Sequence, residues 1–278
     1  MTLQNLPTIT TNQKSNPGQQ RSHSGLVLLS ARELNKMRRV GKLAATLLNH
    51  LEPMVQPGVS TQALNDEAAR WMQAHGAISA TLGYAPPGYP PFQGSICTSI
   101  NDVVCHGIPH AKQILKDGDI INIDVTPILD GYHGDTSRTF GVGNVSAKAR
   151  KLVEVTQAAM MRGIAAIKPG ARIGDIGAAI ETYAEAHGFS VVREMVGHGV
   201  GRQFHAEPQV PHFGQPGRGL KLRPGMVFTV EPMLNEGTRE LKFLADGWTV
   251  ITKDRKRSAQ FEHTVAVTQN GVEILTLA

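Results

Sequence analysis

Cysteine is scarce in this sequence: only Cys97 and Cys105 occur among its 278 residues. Two thiols are too few for a disulfide framework or for a four-cysteine zinc site. If the dipeptide Asn101-Asp102 forms a hairpin turn, Cys97 lies opposite His106, and a disulfide between the two cysteines is not expected. Reduced thiols suit a protein of the reducing cytosol.

The sequence also lacks long apolar runs, and its N-terminal segment lacks acidic residues. No run approaches the ~20 apolar residues of a membrane-spanning helix, so we expect no membrane association. Residues 1–24 contain no acid and are rich in Ser, Thr, Gln, Asn and Pro without periodicity, which predicts a disordered N-terminal extension. This segment has neither the apolar core of a secretory signal nor the many arginines of a transit peptide, so a cytoplasmic location is expected.

Size and charge set broad limits. Hydrophobic residues make up 41% of the chain, which suits one large domain or two small ones with an ample core. The net charge of +5 is modest for this length, and we expect no DNA partner. The basic cluster Lys253–Arg257 is either a solvated turn between strands or a weak, transient contact with the ribosome.

Helix signals occur in two pairs. A capping box at Ser30 precedes an apolar stripe that predicts the first helix, and Ser60 or Thr61 caps the second. A further pair is predicted at about 146–167 and 173–187. Segments typical of strands follow each pair.

The helix pairs form an internal repeat. Segment 57–76 aligns without gaps with segment 169–188, and both begin with Pro-Gly and end with Ala-His-Gly. The repeat predicts two similar halves, about 30–143 and 144–278, on a shared sheet. A site would then lie between the halves.

The first half contains two aspartates in a predicted hairpin. Polar residues alternate with β-branched ones, and Asp130-Gly131 is a strong turn signal. This turn places Asp124 opposite Ser137 and Asp135 opposite Thr126, so both carboxylates project from one face, roughly 7 Å apart at the backbone. They are either solvated acids of a hairpin or half-buried like charges that need a cation.

Three more candidate ligands lie in glycine-rich or strand-like contexts. Glycines flank His198 and let the backbone come close to another group, although a single histidine is more often structural. Glu231 in MVFTVEPML and Glu262 in AQFEHTVAVT lie among apolar residues, where an acid needs a partner. With the two aspartates they supply enough ligands for a two-metal hydrolytic site, and the set suits Mn, Fe, Co or Zn.

Several segments resemble the type I methionine aminopeptidases, which have the pita-bread fold. The matching segments are SICTSINDVVCHGIP, DGDIINIDVTPILDGYHGDTSRTF, VGHGVGRQFHAEPQV, MVFTVEPM, DGWTV and SAQFEHTVAVT. They follow the family order, and the resemblance extends from about residue 30 to 275. It implies a single catalytic domain at residues 25–278, with an α+β fold in which two pseudo-symmetric helix pairs pack on the outer face of an antiparallel β-sheet.

The resemblance also implies a centre of two divalent metal ions. Asp124 would be a bidentate ligand of one ion, and Asp135 and Glu262 would bridge the two. His198 and Glu231 would be further ligands of the other ion. Glu231 would also accept the proton of the attacking water. The ligands leave the metal open among Co, Mn, Fe and Zn.

Residues outside the metal shell are implied to bind the substrate. By resemblance, His106 contacts the scissile amide and His205 steadies the substrate carbonyl and its tetrahedral intermediate. The methionine pocket maps onto aromatic and sulfur-containing side chains, which suit a thioether: Tyr84, Tyr89, Cys97, Phe204 and Trp248. The loop at 83–95 is longer and richer in proline than its family counterpart, and is either part of the pocket rim or a rigid surface excursion.

The implied activity is that of a methionyl aminopeptidase. It would be a cytoplasmic monomer that removes methionine from the N-terminus of nascent polypeptides whose second residue is small. One alternative is an X-Pro aminopeptidase or prolidase of the same fold, which usually has an additional N-terminal domain. The other is a non-catalytic pita-bread binding protein, which typically has lost metal ligands.

Overall fold

A computed structural model describes residues 20–21 and 26–278 of the chain. Gln20–Arg21 forms a two-residue strand, β1, which pairs with β2 at Val27–Leu28. The rest of the extension predicted at 1–24 lies outside the described residues.

The described residues contain four α-helices, in the two predicted pairs: α1 (Ala31–Leu51), α2 (Thr61–Ala74), α3 (Ala147–Ala165) and α4 (Ile173–Ala186). The predicted capping box is present, because the Ser30 hydroxyl accepts the N–H of Glu33 and the Glu33 carboxylate accepts the N–H of Ser30. A short 3-10 turn, Glu52–Met54, follows α1. In the part of the chain that the structure describes, no helix has the length and apolar character needed to cross a bilayer.

Strands fill the segments that follow each helix pair. Between α2 and α3 they are β3 (Ile78–Ser79), β4 (Cys97–Ile100), β5 (Val103–Cys105), β6 (Ile120–Val125), β7 (Pro127–Leu129), β8 (Tyr132–His133) and β9 (Thr136–Gly141). After α4 they are β10 (Ser190–Val191), β11 (Gly197–Gly199), β12 (Ala206–Val210), β13 (Val227–Val230), β14 (Met233–Asn235), β15 (Leu241–Phe243), β16 (Val250–Thr252), β17 (Ser258–Gln260), β18 (Glu262–Val267) and β19 (Val272–Ile274).

One large antiparallel sheet joins strands from before α3 and after α4. Among the described residues it has eight strands, in the order β12-β11-β13-β18-β9-β6-β4, with β19 paired to β18. The pairing of β18 with β9 connects the two parts of the chain. This architecture confirms the predicted α+β pita-bread fold.

The hairpin that contains the two aspartates has the predicted register. Asp124 pairs with Ser137. Asp130 and Gly131 have φ angles of 52° and 76°, as a type I′ turn requires. The Thr126 hydroxyl donates to Oδ1 of Asp135 at 2.8 Å, which agrees with their predicted opposite positions.

Each helix pair covers one half of the outer face of the sheet. Ile121 and Ile123 of β6 share a hydrophobic cluster with α1 and α2, whereas Phe228 and Val230 of β13 share another with α3 and α4. Because side chains alternate along a strand, Asp124 of β6 faces away from the helices. The inner face of the sheet, which the helices do not cover, therefore carries polar side chains such as Asp124.

The segment at His106 departs from the predicted register. The Thr98 N–H donates to the carbonyl oxygen of Gly107, and His106 has a φ of 55°. This irregular backbone shifts the hydrogen bonding, so the predicted pairing of Cys97 with His106 is wrong. Cys97 pairs with Asp124 of β6, and both cysteines are buried and free.

Candidate metal centre

The predicted ligands lie on five neighbouring strands of the large sheet. His198 is in β11, Glu262 begins β18 and Asp124 is in β6. Glu231 directly follows β13, and Asp135 directly precedes β9. The strand order β11-β13-β18-β9-β6 therefore brings side chains from distant parts of the sequence together.

The glycines on either side of His198 allow neighbouring strands to approach. A Cβ on Gly199 would lie 2.1 Å from the carbonyl oxygen of Glu207, and a Cβ on Gly197 would lie 2.4 Å from that of Thr229. Only glycine fits such contacts without a backbone shift. The group that the glycines were predicted to approach is therefore the backbone at β12 and β13.

The imidazole of His198 has its proton on the nitrogen remote from the carboxylates. Nδ1 lies 3.1 Å from the carbonyl oxygen of Gly199, which can only accept, so Nδ1 is the donor. Nε2 then presents a lone pair 3.5 Å from Oδ2 of Asp135 and 3.6 Å from Oε1 of Glu231. Burial lowers the pKa of His198 to about 4, so the ring is neutral at pH 7.

Three buried acids, Asp135, Glu231 and Glu262, and the half-buried Asp124 share this site. Burial raises the pKa of Asp124 to about 7 and that of Glu231 to about 8. Burial and mutual repulsion raise the pKa of Asp135 and of Glu262 well above their ordinary values. Among the residues that the structure describes, no Lys or Arg forms an ion pair with any of the four, and Oδ1 of Asp124 is buried without a hydrogen-bond partner.

These features fit a divalent cation. Asp135, His198 and Glu262 each offer one ligand atom, and these atoms lie within 4.8 Å of one another. A cation among them would offset the repulsion between the acids and would accept the lone pair of the neutral imidazole. Carboxylate oxygens with one imidazole nitrogen suit Mn, Fe, Co or Zn.

Sequence reasoning placed Thr126 opposite Asp135 but assigned no role to the buried side chains that bond to the predicted ligands. Thr126 donates to Asp135, as the hairpin shows, and Thr229 donates to Oε1 of Glu231 at 2.7 Å. Gln260 donates to Oε2 of Glu231 at 3.4 Å. A usable signal existed for both threonines, because each lies two residues from a predicted ligand and therefore on the same face of its strand.

A buried histidine also went unrecognised. His212 is fully buried, and its Nε2 accepts the backbone N–H of Glu231 at 3.1 Å. That N–H lies beyond the last paired residue of β13, Val230, so the sheet does not supply its acceptor. His212 satisfies the backbone where the strand ends, and no sequence pattern links these two distant positions.

An aromatic cluster lies beside the predicted ligands. Phe92, Cys97 and Trp248 form its buried part. The rings of Phe92 and Trp248 meet edge to face with centroids 5.3 Å apart. Because Cys97 pairs with Asp124, the cluster adjoins the acids directly. Phe92 was missed from the sequence, although it is an isolated aromatic residue in a proline-rich loop.

The remaining predicted pocket residues surround this cluster. The Tyr84 ring lies 5.1 Å from that of Phe204, and the Tyr89 ring lies 5.0 Å from that of Trp248. Tyr89 is 37% exposed and lies at the rim. The indole N–H of Trp248 donates to the carbonyl oxygen of Pro90 at 2.8 Å, so the loop at 83–95 packs onto the pocket.

His106 adjoins the aromatic cluster, and His205 adjoins His198. The His106 ring lies 5.9 Å from that of Trp248, and the His205 ring lies 4.2 Å from that of His198. The Tyr84 hydroxyl lies 2.9 Å from Nδ1 of His205. Desolvation lowers the pKa of His106 to about 4 and that of His205 well below its ordinary value, so both rings are neutral at pH 7.

Comparison with known sequences places this site in a family. Residues 35–269 match the sequence model of metallopeptidase family M24. The chain belongs to metallopeptidase family M24. Methionine aminopeptidase B of Synechocystis sp. is 80% identical to this chain over 278 residues, which is 100% of both proteins. Methionine aminopeptidase A of the same organism is 66% identical over 252 residues, 91% of this chain and 98% of the relative.

A solved structure agrees with these sequence matches. The crystal structure of methionine aminopeptidase from Rickettsia prowazekii superposes with a TM-score of 0.87 at 52% identity, covering 90% of this chain and 99% of that one. The predicted resemblance to the methionine aminopeptidases is therefore confirmed. Membership of family M24 and the cluster of Asp135, His198 and Glu262 together support the use of divalent metal by this chain.

Proposed function

We propose that this chain is a methionine aminopeptidase, which hydrolyses the peptide bond after the N-terminal methionine of proteins whose second residue is small. The observation that carries the proposal is that a group of acids with one histidine lies directly beside an aromatic pocket. Among the described residues, acids and a neutral imidazole converge there without an ion pair to Lys or Arg, and an aromatic pocket adjoins them. Relatives that match most or all of the chain are named methionine aminopeptidases.

The proposed metal ligands are Asp124, Asp135, His198, Glu231 and Glu262, which would hold two divalent ions of Co, Mn, Fe or Zn. Bound divalent ions lower the pKa of water and polarise a carbonyl group, which is the chemistry that peptide hydrolysis requires. The chain's part is to bring the carboxyl groups together, where a bound cation would favour their ionised form, and to keep Nε2 of His198 free of a proton.

The proposed methionine pocket consists of Tyr84, Tyr89, Cys97, Phe204 and Trp248, to which the structure adds Phe92. Aromatic faces and a thiol make favourable contacts with a thioether. The pocket fixes the substrate side chain beside the acids, and this orientation places the first peptide bond in the cleft.

Three residues are proposed to act on the reacting groups. Glu231 accepts the proton of the attacking water. His106 hydrogen-bonds to the scissile amide. His205 donates an N–H to the carbonyl oxygen as negative charge develops on it. Both histidines suit these tasks because each neutral ring has one donor and one acceptor nitrogen.

We further propose that the substrates are nascent polypeptides and that the enzyme acts as a monomer in the cytoplasm. The predicted ribosome contact at the basic cluster has weak electrostatic support. Among the described residues, Lys253, Arg255 and Arg257 lie within 4.0 Å of carboxylates of Glu240, Asp102 and Glu236, respectively. These acids offset much of the positive charge that an RNA contact would use.

The test is release of the first residue from short peptides by the full chain. After chelation, the protein is supplied with one divalent ion at a time and then with Met-Ala-Ser, Met-Leu-Ser or Ala-Pro. We expect free methionine from Met-Ala-Ser, much less from Met-Leu-Ser, and no cleavage of Ala-Pro. Preferential cleavage of Ala-Pro would instead identify an X-Pro peptidase, and no release with any ion would identify a non-catalytic binding protein.

A further inference from the structure

Thr229 connects two of the proposed ligands through its hydroxyl group. It lies in β13, is fully buried, and precedes Glu231 by two residues on the same face of the strand. Its Oγ1 accepts the backbone N–H of His198 at 3.0 Å and lies 2.7 Å from Oε1 of Glu231. The hydroxyl therefore bridges β11 and the end of β13 at the point where both present a ligand.

The direction of these hydrogen bonds is fixed by chemistry. A backbone N–H can only donate, so Oγ1 of Thr229 is the acceptor from His198. The single hydroxyl proton is then free to be donated to the carboxylate, whose Oε1 must accept it. This bond, at 2.7 Å, fixes the direction in which Oε1 points.

The same carboxylate oxygen faces the imidazole. Oε1 of Glu231 lies 3.6 Å from Nε2 of His198, and that nitrogen has a lone pair because Nδ1 donates to a carbonyl oxygen. Two lone pairs that face each other in a buried site repel unless a cation lies between them. Thr229 thus bonds to both residues that flank this gap.

We propose that Thr229 is a positioning residue for the metal centre, whose hydroxyl holds Oε1 of Glu231 directed towards Nε2 of His198 so that both atoms are available to a divalent cation. This inference rests on the proposed roles of these two residues as metal ligands. Threonine suits the position because it has the β-branched shape of valine, which fits a buried strand, together with the one donor that the carboxylate needs.

The test compares metal binding by variants of the full chain. Thr229→Val keeps the shape and removes the hydroxyl, whereas Thr229→Ser keeps the hydroxyl and removes the methyl group. Thr156→Val is the matched control, because Thr156 is equally buried but lies in α3, where its hydroxyl donates only to the carbonyl oxygen of Leu152. Each chelator-treated protein is titrated with Mn²⁺ by calorimetry, and its unfolding temperature without metal is recorded.

We expect Thr229→Val to raise the Kd for Mn²⁺ about 10- to 100-fold, the range found when a hydrogen bond to a metal ligand is lost. Thr229→Ser and Thr156→Val should bind Mn²⁺ like the unmodified chain. If Thr229→Val does not fold, Thr229→Ala is measured with the same expectation.

Two results would overturn the inference. Lower thermal stability of Thr229→Val with an unchanged Kd would mean that the residue only supports the fold. Equal losses of affinity in the serine and valine variants would mean that the methyl group, not the hydroxyl, matters. Because this readout needs no peptide, an unmodified chain that binds Mn²⁺ but releases no methionine would contradict the proposed function and leave the role of Thr229 intact.

Discussion

At the scale of single residues, the backbone around His198 is as constrained as its side chain. β11 lies so close to its neighbours that both flanking glycines are packed against carbonyl oxygens. A side chain at either glycine would have to move a strand, not a flexible side chain. Such a movement would also displace His198 from Asp135 and Glu231, so packing and the proposed metal site are linked at this point.

We therefore predict that Gly199→Ala lowers the free energy of unfolding by about 1–3 kcal/mol, the usual effect of overpacking, and weakens Mn²⁺ binding as well. Gly201→Ala is the matched control from the same glycine-rich segment, because a Cβ there would meet only Leu29 at an ordinary 3.9 Å. Urea unfolding and calorimetry measure the two effects. Equal behaviour of the two alanine variants would contradict this account of the glycines.

At the scale of elements, the proline-rich loop at 83–95 forms part of the pocket wall. Phe92 is 3% exposed and packs its ring against Trp248, whose indole N–H also bonds to the loop at Pro90. Proline fixes the backbone φ angle, so little conformational freedom has to be lost when the loop takes this shape. The loop thus offers a stiff apolar surface to the proposed methionine pocket.

Phe92→Ala should remove this wall. We predict that the KM for Met-Ala-Ser rises about tenfold, with a smaller change in kcat, because contacts to the methionine side chain are lost away from the reacting bond. Leu82→Ala is the control in the adjoining segment, since Leu82 is 60% exposed. Steady-state kinetics separate KM from kcat. A KM for Phe92→Ala equal to that of Leu82→Ala would show that the loop does not shape the pocket.

Local sequence patterns predicted the helices, the strands and the hairpin register well. The features that sequence reasoning missed depend on contacts between distant parts of the chain. The Asp130-Gly131 turn set the register of Asp124 because a tight turn fixes pairing within a few residues. The irregularity at His106 depends on a backbone shape that the sequence of the hairpin did not reveal. The contact of His212 with Glu231 joins residues that only the folded sheet brings together.

At the scale of the whole molecule, helices cover the outer face of the sheet, and the four acidic residues of the proposed metal site lie on its inner face. Such a fold carries an electrostatic cost when no cation is bound, because burial raises the pKa of the four carboxylates. An acid whose pKa is higher in the folded state holds more protons when folded, so stability falls as pH rises between its unfolded and folded pKa values.

We predict that the metal-free protein loses thermal stability between pH 6.5 and pH 8, the range in which Asp124 and Glu231, with pKa values of about 7 and 8, ionise. Below pH 6.5 the buried histidines with lowered pKa act in the opposite direction and mask the effect. Added Mn²⁺ should stabilise more as pH rises, since it binds the ionised ligands. Unfolding temperatures measured with and without metal test this, and a metal-free protein that gains stability across this range would contradict it.

The central claim is that the buried acids and His198 form the metal site at which methionine is released. The most direct test measures bound metal and methionine release together while Mn²⁺, Co²⁺, Zn²⁺ or Fe²⁺ is added to the chelated chain, its Asp135→Ala variant and an Asp66→Ala control on the exposed face of α2. We predict that activity rises with occupancy to two ions in the chain and the control, and that Asp135→Ala loses both tight binding and methionine release. Undiminished release by Asp135→Ala would contradict the claim.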